Sequence, residues 1–147
     1  MAAIRTAEVA WDGDLISGNG TITKVGSAAF GPLPVSWAAR TEAPGGKTSP
    51  EELLAAAHAS CFAMALSGAL ARAGTPPTSL AVAAAVTFDK GDGGWGVKSS
   101  ALTVRGTVPG ATTESFAEAA EATRVGCPIS KALAGNVELT VEATLEG

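Results

Sequence analysis

The last residues of the chain alternate without a miss. Val137, Leu139, Val141, Ala143 and Leu145 fall on one side, and Glu138, Thr140, Glu142, Thr144 and Glu146 on the other. That period of two predicts a strand with one buried and one wet face. Three shorter strand-like segments open the chain, over residues 4–12, 20–26 and 34–40, separated by Gly13, Gly18, Gly31 and Pro32 and expected to pair antiparallel. Residues 80–89 and 95–108 predict a hairpin around the turn-rich Lys90-Gly91-Asp92-Gly93-Gly94.

The first helix has a well-marked start in Ser49-Pro50-Glu51-Glu52. Ser49 suits the N-cap, Pro50 the first helical position, and Glu52 can reach back to the N–H of the cap. Gly74, ahead of Pro76 and Pro77, predicts its end. A second helix is expected over residues 113–126, and Pro128 restarts a short one whose N-cap is Cys127. The order βββ-α-ββ-α-α-β is an α+β architecture with helices on one face of antiparallel sheet. No internal repeat or linker interrupts residues 1–147, which reads as a single domain.

Residues 53–71 hold no Asp, Glu, Lys or Arg, a run nearly long enough to span a bilayer. The run is mostly alanine, however, and His58, Ser60, Ser67 and Gly68 interrupt it. It therefore reads as a helix buried in protein rather than in a membrane. A helix apolar all round is hard to cover in a chain this small, since one sheet covers one side. An intimate homodimer would cover the other.

Hydrophobic residues make up 46% and charged residues 16%, which excludes a disordered chain. The formal charge of −4 and the lack of a basic run exclude nucleic acid as the expected partner. One His and two Cys without metal-ligand spacing make a metal site unexpected, and no cofactor motif is present. Charges in the first eight residues leave no export signal visible, so the expected compartment is the reducing cytoplasm.

The two cysteines draw the chemical interest. Cys127, at a helix N-cap, faces the positive end of a helix dipole that stabilises a thiolate. Cys61 lies about 16 Å up its helix, at ~1.5 Å per residue, where the dipole has faded. Dipole logic alone thus selects Cys127 as nucleophile, and a thiolate at Cys61 would need a fixed cation. Arg40, expected at the end of the third strand beside the loop Thr41-Glu42-Ala43-Pro44-Gly45-Gly46-Lys47, is the best placed. Glu52 has a capping duty, whereas Glu51 is free to hold an arginine in bidentate geometry or to remain a solvated charge. His58 could pair with Cys61 three residues later, but a lone histidine on an apolar helix is more often a hydrogen-bonded core residue. Ser60 and Ser67 lack the context of a nucleophilic serine.

The segments Thr48-Ser49-Pro50-Glu51-Glu52-Leu53-Leu54-Ala55-Ala56-Ala57-His58-Ala59-Ser60-Cys61-Phe62 and Gly126-Cys127-Pro128-Ile129-Ser130-Lys131 resemble the two cysteine motifs of the OsmC/Ohr family. The 66-position gap between the cysteines and the early Trp11-Asp12-Gly13-Asp14 fit as well, and His58 with Arg40 looks closer to the OsmC branch. The resemblance implies an intertwined homodimer with antiparallel sheets around long central helices. It also implies a thiol-dependent peroxidase acting on organic hydroperoxides. Cys61 would be the peroxidatic cysteine, overturning the dipole-based choice, and Cys127 the resolving one, with Glu51 orienting Arg40 toward the thiolate. The cycle closes without a cofactor: sulfenic acid, then a Cys61–Cys127 disulfide, then reduction by an external dithiol of lipoyl type. Phe62, Leu54 and Met64 are the candidate substrate contacts. A noncatalytic small-molecule-binding dimer on the same fold and a general disulfide oxidoreductase are the alternatives.

Overall fold

The computed structural model describes residues 1–147, which divide into two compact units, residues 1–53 and 54–147. The first unit holds a three-stranded antiparallel sheet of β1 (Ala7–Asp12), β2 (Asn19–Val25) and β3 (Leu33–Val35), in that order. The third strand is shorter than its sequence suggests. Ser36 stops it, because its hydroxyl accepts the N–H of Ala39 at 3.1 Å and caps the one-turn helix α1 (Trp37–Thr41). Arg40 consequently sits on a helix, not at a strand end.

The helix α2 (Pro50–Arg72) opens in the first unit and runs through the second. Ser49 accepts the N–H of Glu52 at 3.1 Å, as a cap should, but the Glu52 carboxylate takes the Thr48 hydroxyl at 2.8 Å. At the far end Gly74, with φ +86°, lets the N–H of Thr75 reach the carbonyl of Leu70 at 2.9 Å.

The second unit carries the hairpin β4 (Ser79–Gly91) and β5 (Gly94–Thr107), then α3 (Thr113–Gly126), α4 (Pro128–Leu133) and β6 (Glu138–Leu145). Its sheet order is β4-β5-β6. The expectation of purely antiparallel sheets fails here, since β6 pairs with β5 in parallel, from Ser99↔Glu138 to Gly106↔Leu145. The two helices between them carry the chain back to the starting end, and a crossover of that kind is what a parallel neighbour requires.

On β5, Ser100, Leu102, Val104 and Gly106 alternate inward. They meet a buried stripe of α2, His58, Phe62, Leu66 and Leu70, spaced four apart as one helical face demands. Phe116 and Ala120 of α3 and Cys127 complete this core. Within one chain α2 is covered on one side only, and Met64 on the other is 71% exposed.

Candidate active site

Cys127 is placed by the proline that follows it. The residue before a proline avoids the helical region, and Cys127 has φ −59° and ψ 134°, ending α3 and opening α4 in one step. Cys61 comes from the middle of α2, half-buried at the edge of the core that holds the Phe62 stripe. The Sγ atoms of Cys61 and Cys127 lie 3.1 Å apart as free thiols, Cys127 buried and Cys61 half-buried.

The two thiols are shifted in opposite directions. Burial foremost, then the hydrogen bond with Cys127, pushes the Cys61 thiol up. Burial acts the same way on Cys127, but the N–H of Ser130, the thiol of Cys61, the Ser130 hydroxyl and the N–H of Ile129 together outweigh it and bring that thiol down. Cys127 is therefore the more acidic of the pair, in line with its place at the N-terminus of α4.

A cavity of about 610 Å³ opens beside Cys61, lined by Ala57, Ser60, Met64, Ala65, Pro128 and Ile129 and almost wholly apolar. In the first unit Arg40 and Glu51 form a bidentate pair, the role that the sequence leaves open to Glu51. Arg40 Nε donates to both carboxylate oxygens at 3.0 Å, and Nη2 donates to Oε1 at 2.8 Å. Trp37 lies under the guanidinium, 6.0 Å from ring centre to carbon. Trp37 and Arg40 border a second cavity of about 190 Å³ with Trp11, Leu15, Val35, Ser36 and Pro50.

A match to the family model described as OsmC-like protein spans residues 43–142. The chain is 37% identical over 139 residues to the peroxiredoxin OsmC of Escherichia coli K12, covering 95% of this chain and 96% of that protein. The chain belongs to the OsmC family. Among solved structures of this fold, the organic hydroperoxide resistance protein OhrB of Bacillus subtilis superposes with a TM-score of 0.70 at 26% identity, covering 95% of this chain and 98% of that one. An organic hydroperoxide resistance protein of Elizabethkingia anophelis gives a TM-score of 0.73 at 24% identity, over 99% and 100% of the two chains.

Within this OsmC fold the candidate substrate contacts separate. Met64 lines the cavity beside Cys61, Phe62 is wholly buried in the core, and Leu54 is half-buried outside that lining. His58 is not paired with Cys61. Its Nδ1 lies 2.7 Å from Ser100 Oγ and its Nε2 2.9 Å from Ser130 Oγ, all three residues without exposure. Sequence reasoning missed both serines. Ser130 had a usable signal, being the third helical position after Cys127, from which a side chain reaches back to the cap; Ser100, a small polar residue in a strand, had none. No cluster of metal-ligating side chains is present.

Proposed function

We propose that this OsmC-family chain is a thiol peroxidase that reduces organic hydroperoxides to alcohols, with Cys61 peroxidatic and Cys127 resolving. The observation that carries the reading is the 3.1 Å approach of the buried Cys127 sulfur to that of Cys61, which lines an apolar cavity. In the first step the Cys61 thiolate attacks the outer peroxide oxygen and the O–O bond breaks, giving a sulfenic acid and an alkoxide that takes a proton from water to leave as the alcohol. The Cys127 thiolate then attacks the Cys61 sulfur, forming a disulfide and releasing hydroxide. The sulfurs need close by only about 1 Å to reach bonding distance. An external dithiol, of which a lipoyl group is the candidate, returns the pair to two thiols.

Since burial disfavours a thiolate at Cys61, the step requires a cation, and we assign that role to Arg40 fixed by Glu51. The uncovered face of α2, with Met64 exposed, supports a homodimer in which a second copy covers it. The almost wholly apolar lining favours a hydrocarbon peroxide over hydrogen peroxide.

One observation favours a second reading. A Cys61 thiol pushed up by burial suits an inert cysteine in a noncatalytic binding dimer. Intact mass after one equivalent of cumene hydroperoxide separates the two. Loss of two hydrogens in the reduced protein, and one added oxygen on Cys61 in Cys127→Ser, is the peroxidase outcome; an unchanged mass in both is the binding-module outcome.

A further inference from the structure

The peroxide steps leave the one histidine of the chain unused, although it is fully buried in the core of the second unit. Its Nδ1 lies 2.7 Å from the Ser100 hydroxyl on β5, and its Nε2 lies 2.9 Å from the Ser130 hydroxyl on α4. Both serines are without exposure. An imidazole bonded at both nitrogens is a strut held at each end, whichever nitrogen carries the proton.

The strut and the sulfur pair join the same two helices. On α2, His58 stands three residues before Cys61; on α4, Ser130 stands three residues after Cys127, which opens that helix. The His58–Ser130 bond and the 3.1 Å approach of Cys61 to Cys127 are therefore neighbouring rungs of one junction, a turn apart on either side. Each side is a stiff piece of backbone. His58 and Cys61 share an unbroken 23-residue helix, and the N–H of Lys131 donates to the carbonyl of Cys127 at 3.0 Å, closing the turn that carries both Cys127 and Ser130. With six residues, α4 is too short to keep its place unaided, so the seat of Cys127 depends on what that first turn is tied to. Two contacts between the same pair of stiff segments assist each other, because forming one removes much of the motion that the other has to stop.

We propose that His58, anchored by Ser100, is a strut that holds the first turn of α4 against α2 through Ser130, and so sets how readily Cys61 and Cys127 become a disulfide. His58 and Ser130 are positioning residues, acting on the sulfurs through the two helices. The proposal deepens the peroxidase reading, whose second step is this closure, but the strut acts on the thiol pair whatever oxidant closes it.

The test equilibrates full-length protein anaerobically with dithiothreitol redox buffers of graded ratio, extended by glutathione buffers at the oxidising end, then alkylates and weighs it. In each exchange two electrons and two protons pass from the cysteine pair to the buffer disulfide: the Cys61–Cys127 bond forms, and the reagent's S–S bond becomes two thiols. Ser130→Ala removes the rung while keeping a residue that favours helix. It should lower the equilibrium constant for disulfide formation about tenfold, which raises the potential by about 30 mV for this two-electron couple. Ser100→Ala, which frees the far end of the strut, should lower the constant about threefold. Thr123→Val is the control, since it deletes a buried hydroxyl that bonds to Ala119 of its own helix, and it should leave the constant within about a factor of two. A merely structural hydrogen bond would lower the denaturant midpoint and leave the potential where it was. That result for Ser130→Ala overturns the strut, as does a native chain whose cysteines pair at no buffer ratio. Should Ser130→Ala fail to fold, the Ser100→Ala constant decides, and an unmoved value overturns the proposal. Cumene hydroperoxide turnover measured alongside keeps the two readings distinct: an unmoved potential with intact peroxide chemistry removes only the strut, and the expected shifts without peroxide chemistry remove only the peroxidase.

Discussion

Arg40 grips Glu51 through one edge of its guanidinium, Nε and Nη2 both bonded to the carboxylate, and the carboxylate is almost entirely buried while the arginine remains 31% exposed. The orientation is thereby one-sided. Glu51 is held by its helix and by burial, and Arg40 is the more exposed partner of the pair.

A lysine cannot reproduce that fork, because its single ammonium is a point charge without bidentate geometry. Arg40→Met is expected to lower the second-order rate with cumene hydroperoxide about 100-fold, and Arg40→Lys to recover less than a tenth of the loss. Stopped-flow measurement of the first turnover reads this. The Met variant also leaves the Glu51 carboxylate buried without its partner, at a cost of about 2 kcal/mol, below that of a fully buried pair because Arg40 is partly solvated.

His58 predicts a pH dependence of stability with a definite sign. Burial lowers its pKa from the ordinary 6.5, so the unfolded chain binds a proton that the folded one refuses. The contribution is fully present above pH 6.5 and is lost as pH falls below it toward the folded value. Between pH 7.5 and 5.0, urea unfolding of the native chain should therefore lose up to about 2 kcal/mol more than that of His58→Gln. Equal losses would show that His58 ionises freely in the folded state.

Gly106 on β5 is required by a close approach. A Cβ there would stand 2.6 Å from the Phe116 ring and 3.1 Å from Leu80. Gly106→Ala should destabilise the chain by about 1–3 kcal/mol. Phe116→Leu in that background should cost less than Phe116→Leu alone, a coupling that chemical denaturation of the four proteins measures.

Much of this was legible because local rules and the fold agree. The Ser49-Pro50 start of α2, the break at Cys127-Pro128 and the alternation of β6 each follow from residues adjacent in sequence. What was not legible depends on distance or rotation. The capping hydroxyl of Ser36 ended β3 early and put Arg40 on a helix. The parallel β5–β6 pairing is set by where two intervening helices return the chain. Phe62 is one residue from Cys61 but about 100° around the helix, which turns it into the core while Cys61 faces the cavity. The Ser100–His58–Ser130 line joins residues 42 and 72 positions apart, which no local pattern announces.

The parting of the cysteines by 66 positions has a consequence for the denatured chain. A bond between them would tie α2 to the start of α4 and convert everything between, both hairpin strands and α3, into a closed ring. A ring of that size restricts the unfolded ensemble by about 4 kcal/mol in the chain-entropy model. The oxidised form should accordingly melt several degrees above the reduced form in calorimetry with and without a dithiol, and an oxidised form that melts lower would mean that closing the ring strains the fold. Protease sensitivity would then rise when reductant arrives, so that the spent protein is the durable one and the recharged protein the one exposed to turnover by degradation.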